Sequence, residues 1–126
     1  MALIDKILVP KTKQDIEKDL SKLTKYELDD KLIEAAWRGD KFKTKLLINA
    51  GASVNSSCAA SGNWIPLMWA SYKGDIGMIL LLINLGTDIN IKDNTGKTPS
   101  MIAFERGHFE AGLILKKYEI KNESSS

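Results

Sequence analysis

The chain has 126 residues, of which 44% are hydrophobic and 27% are charged, and this balance predicts a single globular domain. Eighteen basic and sixteen acidic side chains leave a net charge of +2, which is too small to favour a nucleic-acid-binding protein. The single cysteine excludes an internal disulfide and favours an intracellular location, cytoplasmic or nuclear. No apolar run reaches the ~18 residues that a membrane-spanning helix needs, so we expect no membrane contact.

The first 24 residues predict a tail and a helix. A short apolar patch that ends at Pro10 forms the tail, and we expect four of its side chains to dock onto the domain: Leu3, Ile4, Ile7 and Leu8. Between Gln14 and Leu23 the apolar residues are spaced four and three apart, which places them on one face of a helix.

Three predicted pairs of helices follow, and a glycine separates the two members of each pair. Thr24 and Glu27 have the spacing of a capping box, so the first helix begins near Lys25. It ends at Gly39, because a helix end of this kind needs a left-handed residue. The glycines in the same place in the later pairs are Gly74 and Gly107. A more apolar helix is predicted after each glycine, over three ranges: Phe42 to Asn49, Ile76 to Asn84 and Phe109 to Lys117.

Parts of the chain repeat at a spacing of 33 residues. Residues 98–108 match residues 65–75, and a further copy begins at Leu32. Periods between about 20 and 50 residues are typical of repeat proteins, in which each repeat packs on its neighbours. We therefore expect a stack of similar helix pairs.

The starts of the later repeats differ in two ways. Thr98 and the proline after it predict a capped helix start, whereas Ile65 replaces the threonine and predicts a weaker cap. The loop between Asn55 and Pro66 is two residues longer than the next loop, and the extra residues predict a longer tip within Ser56 to Asn63.

Several motifs resemble ankyrin repeats: Pro66-Leu67-Met68-Trp69-Ala70, Thr98-Pro99, Gly86-Thr87-Asp88-Ile89-Asn90 and Asp93-Asn94-Thr95-Gly96-Lys97. The resemblance covers roughly residues 28–118. It implies an all-α solenoid of stacked antiparallel helix pairs with hairpin-like connecting loops. It divides the chain into an N-terminal tail and capping helix, an ankyrin repeat domain with three repeats, and a frayed polar tail: 1–24, 25–120 (repeats 25–57, 58–91 and 92–120) and 121–126.

The resemblance also implies a function. Ankyrin arrays are overwhelmingly non-enzymatic scaffolds that bind other proteins through a concave face, which the first helices and the loop tips form. We therefore predict an adaptor, scaffold or inhibitor that is monomeric and uses no cofactor, metal or small-molecule substrate. Two alternatives stay open: a nucleic-acid-associated regulator that uses a basic column (Arg38, Lys73 and Arg106) with the N-terminal lysines, and a structural fragment of a longer scaffold.

The resemblance implies that certain surface positions vary within the family. When the three repeats are aligned on their glycines, the equivalent residues at each of these positions form a column. The predicted partner-binding residues are Trp37, Arg38, Trp64, Tyr72, Lys73, Asn94, Lys97, Glu105 and Arg106. Tryptophan, tyrosine and arginine dominate binding hot spots because they bury a large area at modest entropic cost. We expect Trp37 and Trp64 to be exposed rather than packed on a neighbouring repeat, and Trp69 to lie in the core. The basic column could also be no more than a solvated face.

The sequence offers little for catalysis. Cys58 would need a base beside it, and the only histidine, His108, lies two repeats away and is predicted to pack at a helix start. No zinc-ligand spacing, phosphate-binding loop or serine–histidine–acid set occurs. We predict that the protein is not an enzyme.

Asn90 is a candidate modification site. Leu82, Asp88, Ile89 and Asn90 are similar to the pattern that an asparaginyl hydroxylase recognises in ankyrin repeats of animal cells. The alternative is that the Asn90 side chain ties down its own turn.

Overall fold

A computed structural model describes the backbone of residues 12–125 and the side chains up to residue 119. The docking predicted for Leu3, Ile4, Ile7 and Leu8 lies outside the described residues. Within them, the chain forms seven α-helices and one 3-10 helix, and its only extended pairing is an isolated bridge, which confirms the all-α prediction. The helices are α1 (Lys13–Leu20), α2 (Lys25–Arg38), α3 (Lys41–Asn49), α4 (Pro66–Lys73), α5 (Ile76–Asn84), α6 (Pro99–Glu105) and α7 (Phe109–Ser125).

Local capping explains where most of these helices begin and end. Thr24 and Glu27 form the predicted capping box at the start of α2, and Gly39 ends that helix with φ = 77°. The hydroxyl of Thr98 accepts a hydrogen bond from the Met101 N–H, whereas Ile65 provides no side-chain cap for α4, as expected.

The first helix is shorter than predicted. It begins one residue before Gln14 because Thr12 and Asp15 form a capping box, and it ends at Leu20 rather than at Leu23. The hydroxyl of Ser21 donates a hydrogen bond to the Lys18 carbonyl oxygen at 2.6 Å, which helps to close the last turn. Leu20 is nevertheless buried, so α1 packs one face on the first repeat.

The helices stack as three pairs. The first helices pack side by side, α2 on α4 and α4 on α6, and each of them also packs on the second helix of its own pair. Their buried side chains form two core clusters. The N-terminal core joins α1 to the first repeat and contains Leu20, Leu28, Leu32, Ala35, Leu46, Leu47 and Ala52. The C-terminal core joins the second and third repeats and also contains Ala36 of α2. Its large members include Ile65, Leu67, Met68, Met78, Ile79, Leu82, Ile102 and Leu115.

The last helix is longer than predicted, because α7 runs to Ser125 and not to Lys117. No glycine or proline occurs after Gly112, so nothing in the sequence interrupts the helix. The buried Glu119 carboxylate also fixes this part of α7, since it accepts a hydrogen bond from the Ser100 hydroxyl at 2.7 Å. The predicted frayed tail is therefore helical from 121 to 125.

Candidate functional site

Four aromatic side chains meet on the side of the stack formed by the first helices and the loop tips, which we call the inner face. Trp37 comes from α2, Trp64 precedes α4, and Trp69 and Tyr72 belong to α4. The Trp69 ring lies edge-on to Trp37 and Trp64, at centroid distances of 5.5 and 4.7 Å. The Tyr72 ring lies 6.0 Å from Trp37 and 5.7 Å from Trp64. We call these four residues the aromatic cluster.

Exposure within the aromatic cluster agrees with the prediction for Trp37 and differs from it for Trp64 and Trp69. Trp37 is 39% exposed, which confirms its prediction. Trp64 is only partly exposed, because its ring packs on the C-terminal core and its Nε1 donates a hydrogen bond to Asp93 at 2.9 Å. Trp69 was predicted in the core and is only partly buried. Smaller side chains fill the buried positions of α4, so the Trp69 indole occupies the gap between Trp37 and Trp64 instead.

The predicted basic column is held by contacts within the chain. Lys73 Nζ lies 4.9 Å from the Trp37 ring centroid and donates a hydrogen bond to the Trp37 carbonyl oxygen at 2.6 Å. The Arg106 guanidinium lies 4.3 Å from the centroid of Tyr72, a cation–π distance. Arg38 forms an ion pair with Glu34 at 3.0 Å. The basic residues therefore contact aromatic rings or an acidic side chain of the first helices, and they do not form a free cationic surface.

Asp93 organises the turn that precedes α6. Its Oδ1 accepts hydrogen bonds from the Thr95 N–H at 2.8 Å, the Thr95 hydroxyl at 2.7 Å and the Lys97 N–H at 2.9 Å, while Oδ2 accepts from Trp64. Burial alone would raise the pKa of Asp93, but these hydrogen bonds outweigh it and lower the pKa from 3.8 to about 2. The turn and the aromatic cluster are thus joined through one ionised carboxylate.

The loop tips also contact one another. The longer tip (56–63) contains the 3-10 helix Ala59–Ser61, and its Asn63 Nδ2 donates a hydrogen bond to Asn94 Oδ1 at 2.7 Å. Lys97 and Glu105 form an ion pair at 2.8 Å, and this hydrogen-bonded contact raises the pKa of Lys97. Three more predicted binding residues therefore contribute to intramolecular contacts, and partner binding by them stays a prediction.

Asn90 does not tie down its own turn through its side chain. Its backbone N–H donates a hydrogen bond to Asp88 Oδ1 at 3.1 Å, and its side chain is exposed and forms no hydrogen bond with a described residue. The equivalent Asn55 reaches the next repeat, where its Oδ1 accepts hydrogen bonds from the Thr87 hydroxyl and the Asp88 N–H. Hydroxylation of Asn90 stays a prediction, which mass spectrometry of the native protein would test through one added oxygen.

A pocket of ≈ 450 Å³ opens beside the aromatic cluster. Trp37 and Trp69 form its indole walls, and the longer tip contributes Cys58 and Ser61. The remaining lining residues all come from α2: Asp30, Ile33 and Glu34. These three were not among the predicted binding residues, although their spacing from Trp37 by seven, four and three residues places all four on one helical face.

Catalytic chemistry has little support among the described residues. Cys58 is exposed at the pocket, whereas the ring of His108 packs on Gly74 at the start of α7, as predicted. No three histidine, cysteine or acidic side chains of residues 12–119 are grouped so that they could hold a metal ion. None of the described helices has the length and apolar character that a bilayer span requires.

The arrangement of three stacked helix pairs with linked tips agrees with a sequence profile. The profile described as "Ankyrin repeats (3 copies)" matches residues 32–125. The chain belongs to the ankyrin-repeat family. Ankyrin repeats are generally protein–protein interaction modules and are typically non-enzymatic.

Curated proteins from plants and animals contain similar repeats. The chain is 30% identical over 86 residues to a probable E3 ubiquitin-protein ligase of Oryza sativa subsp. japonica, covering 68% of this chain and 16% of that protein. It is 34% identical over 83 residues to the 2-5A-dependent ribonuclease of Mus musculus, covering 66% and 11%. A 46-residue segment is 48% identical to the fibronectin type 3 and ankyrin repeat domains 1 protein of Mus musculus, covering 36% and 13%. The chain thus spans less than a fifth of the length of these relatives.

Proposed function

We propose that this ankyrin-repeat chain is a non-enzymatic adaptor, scaffold or inhibitor that binds another protein through its inner face. The observation that carries the proposal is the aromatic cluster, in which Trp37 is 39% exposed next to an open pocket. Aromatic side chains held by their neighbours lose little entropy on binding, so they can contribute much of an interface's free energy.

The same surface is less suited to nucleic acid. Nucleic-acid binding needs basic groups that are free to neutralise phosphates and release the cations condensed on them. Lys73 and Arg106 lie against aromatic rings, Arg38 pairs with Glu34, and a second acid, Asp30, lies on the same face of α2. We include in the proposal an intracellular, monomeric protein; the single cysteine supports the intracellular location.

The proposal is tested by capture of interacting proteins from the source cells, with two variants that remove an exposed aromatic ring from the first repeat. Trp37→Ala changes the inner face, and Phe42→Ala removes a ring that is 55% exposed on α3, the second helix of the same pair. Proteins retained by the wild type and by Phe42→Ala should be lost with Trp37→Ala. With the purified partner, calorimetry should give a loss of about 2 kcal/mol, which is roughly a 30-fold weaker Kd.

The melting temperatures of both variants are measured first, so that loss of folding is not mistaken for loss of binding. If Trp37→Ala and the wild type retain the same partners with the same affinity, the inner face is not the binding surface. A partner that Phe42→Ala alone loses would move the interface to the second helices.

A further inference from the structure

We propose that the pocket beside Trp37 receives an arginine side chain of the bound partner. The inference rests on the proposed function and specifies the chemistry of the partner. The pocket lies on the inner face between α2, the longer tip and α4, and its volume of ≈ 450 Å³ falls within the range of binding pockets in proteins. Three features of the pocket and its surroundings favour a planar cation over an apolar group.

The first feature is the pair of indole walls. Trp37 and Trp69 lie edge-to-face at 5.5 Å, so their ring planes meet at a steep angle, 80°, around the pocket. A guanidinium is planar and weakly hydrated, and it stacks on an aromatic face more readily than a lysine ammonium does. A partner arginine can therefore lie against one wall while its aliphatic stem contacts Ile33.

The second feature is the charge of the lining. Asp30 and Glu34 are one turn apart on α2 and supply the only charged side chains among the residues that line the pocket. The Asp30 carboxylate forms no hydrogen bond or ion pair with a described residue. Glu34 pairs with Arg38, but this pair is solvent-exposed, with 51% and 72% of the two side chains accessible, so it can exchange for a better-placed partner cation.

The third feature is that two rings of the aromatic cluster already bind cations of this chain. Lys73 lies over Trp37, and Arg106 lies over Tyr72. The chain thus supplies its own cations to two rings of the aromatic cluster, whereas no basic side chain lines the pocket. The pocket combines aromatic surface with the carboxylates of Asp30 and Glu34. We therefore expect the partner to supply the cation.

The test uses N-acetyl-arginine methylamide as the probe and the citrulline analogue, which has the same shape without the charge, as its control. The three tryptophans give three indole N–H signals in a nitrogen-15 NMR spectrum. Titration with the arginine probe should shift the Trp37 and Trp69 signals to saturation, and the citrulline probe should not. The probe should also slow alkylation of Cys58, the only cysteine, because this thiol lines the pocket.

Two variants locate the site. Asp30→Asn combined with Glu34→Gln should weaken binding of the arginine probe at least tenfold, whereas Glu110→Gln, an exposed acid on α7, should leave it unchanged. Equal binding of the citrulline probe, an unchanged affinity in the double variant, or no saturable shift with arginine would overturn the proposal.

The two proposals fail in different ways. If the Asp30→Asn, Glu34→Gln variant keeps the full affinity for a captured partner while Trp37→Ala loses it, the arginine pocket is wrong and the inner-face interaction stands. If the arginine probe binds as expected but no captured partner depends on Trp37, the pocket stands and the protein-binding function through this face does not.

Discussion

At the scale of single residues, Asp93 makes more contacts than its turn position suggests. It accepts four hydrogen bonds, and three of them come from its own turn. A carboxylate whose pKa is lowered by folding contributes stability above its unfolded pKa, here 3.8, and that contribution is lost as the pH falls towards the folded value of about 2. Asp93 belongs to one of the motifs that resemble ankyrin repeats, but its bond to Trp64, which comes from the preceding repeat, is visible only in the structure.

We therefore expect Asp93→Asn to lower the free energy of unfolding at pH 7 by on the order of 1–2 kcal/mol. The asparagine amide cannot accept all four hydrogen bonds, and it cannot ionise. Between pH 4 and pH 2 the variant should lose less stability than the wild type does. Urea unfolding at several pH values measures both effects. Asp88→Asn is the control: the Asp88 Oδ1 accepts one backbone N–H at 3.1 Å, which an asparagine Oδ1 can still accept, so this variant should retain the acid-dependent loss of the wild type.

Trp64 also acts differently from the exposed hot-spot residue predicted for it. Because its ring packs on the C-terminal core and its Nε1 bonds to Asp93, Trp64→Ala should cost about 2–4 kcal/mol of unfolding free energy. Trp64→Phe keeps much of the packing and loses the hydrogen bond, so its free energy of unfolding should lie between those of Trp64→Ala and the wild type. Trp37→Ala should cost less than Trp64→Ala, because Trp37 is 39% exposed. A Trp64→Ala variant as stable as the wild type in urea would show that the ring does not support the core.

At the scale of helices and their connections, two glycines in the same repeat position have different surroundings. Gly74 and Gly107 both adopt left-handed backbone, with φ of 69° and 80°. A Cβ on Gly74 would come within 2.5 Å of His108 Cγ, whereas a Cβ on Gly107 would meet no atom within 4 Å. Any side chain at either position costs about 1–2 kcal/mol because the backbone is left-handed. Of the two, only a substitution at Gly74 adds a steric contact with the next repeat.

Gly107→Ala should therefore destabilise the protein by about 1 kcal/mol, and Gly74→Ala should cost at least 1 kcal/mol more. Replacing His108 by alanine in the Gly74→Ala background removes the obstructing ring and should recover most of the difference. A double-mutant cycle measured by thermal unfolding gives this coupling. If the two glycine variants are equally stable, the His108 ring moves aside without cost.

At the scale of the whole molecule, the division into two cores predicts unequal responses to core substitutions. In a repeat stack each unit contacts only its neighbours, so a defect is felt most in the units beside it. Leu47 belongs to the N-terminal core, and Leu82 belongs to the C-terminal core. Each leucine is fully buried, and truncation to alanine should cost about 2–5 kcal/mol.

Native-state hydrogen exchange should separate the two variants. Leu47→Ala should speed amide exchange mainly in α1, α2 and α3, and Leu82→Ala should do so mainly in α4 to α7. Equal acceleration throughout the chain in both variants would mean that the stack unfolds as one cooperative unit.

The sequence by itself determined the repeat architecture, the number of helices and most helix starts. Thr24 with Glu27, Thr98 and Gly39 act on backbone groups within a few residues, so their spacing is enough to place a helix start or end. The 33-residue period then determined that similar pairs stack, because each pair leaves an apolar face that its neighbour must cover. The predicted end of α7 was too early although no glycine or proline interrupts the sequence after Gly112, and the contact that holds Glu119 comes from Ser100 on another helix.

Only the tertiary structure decided how the inner face is built. Lys73 bonds to a residue 36 positions away, and Trp64 bonds to one 29 positions away, so both contacts depend on how one repeat sits on the next. The same holds for the contact of Trp69 with Trp37 of the preceding repeat, and for the pocket that Asp30 shares with the longer tip. The physical reason is that local spacing fixes backbone conformation and the face of a helix. Side-chain contacts between repeats follow instead from the packing of the whole stack.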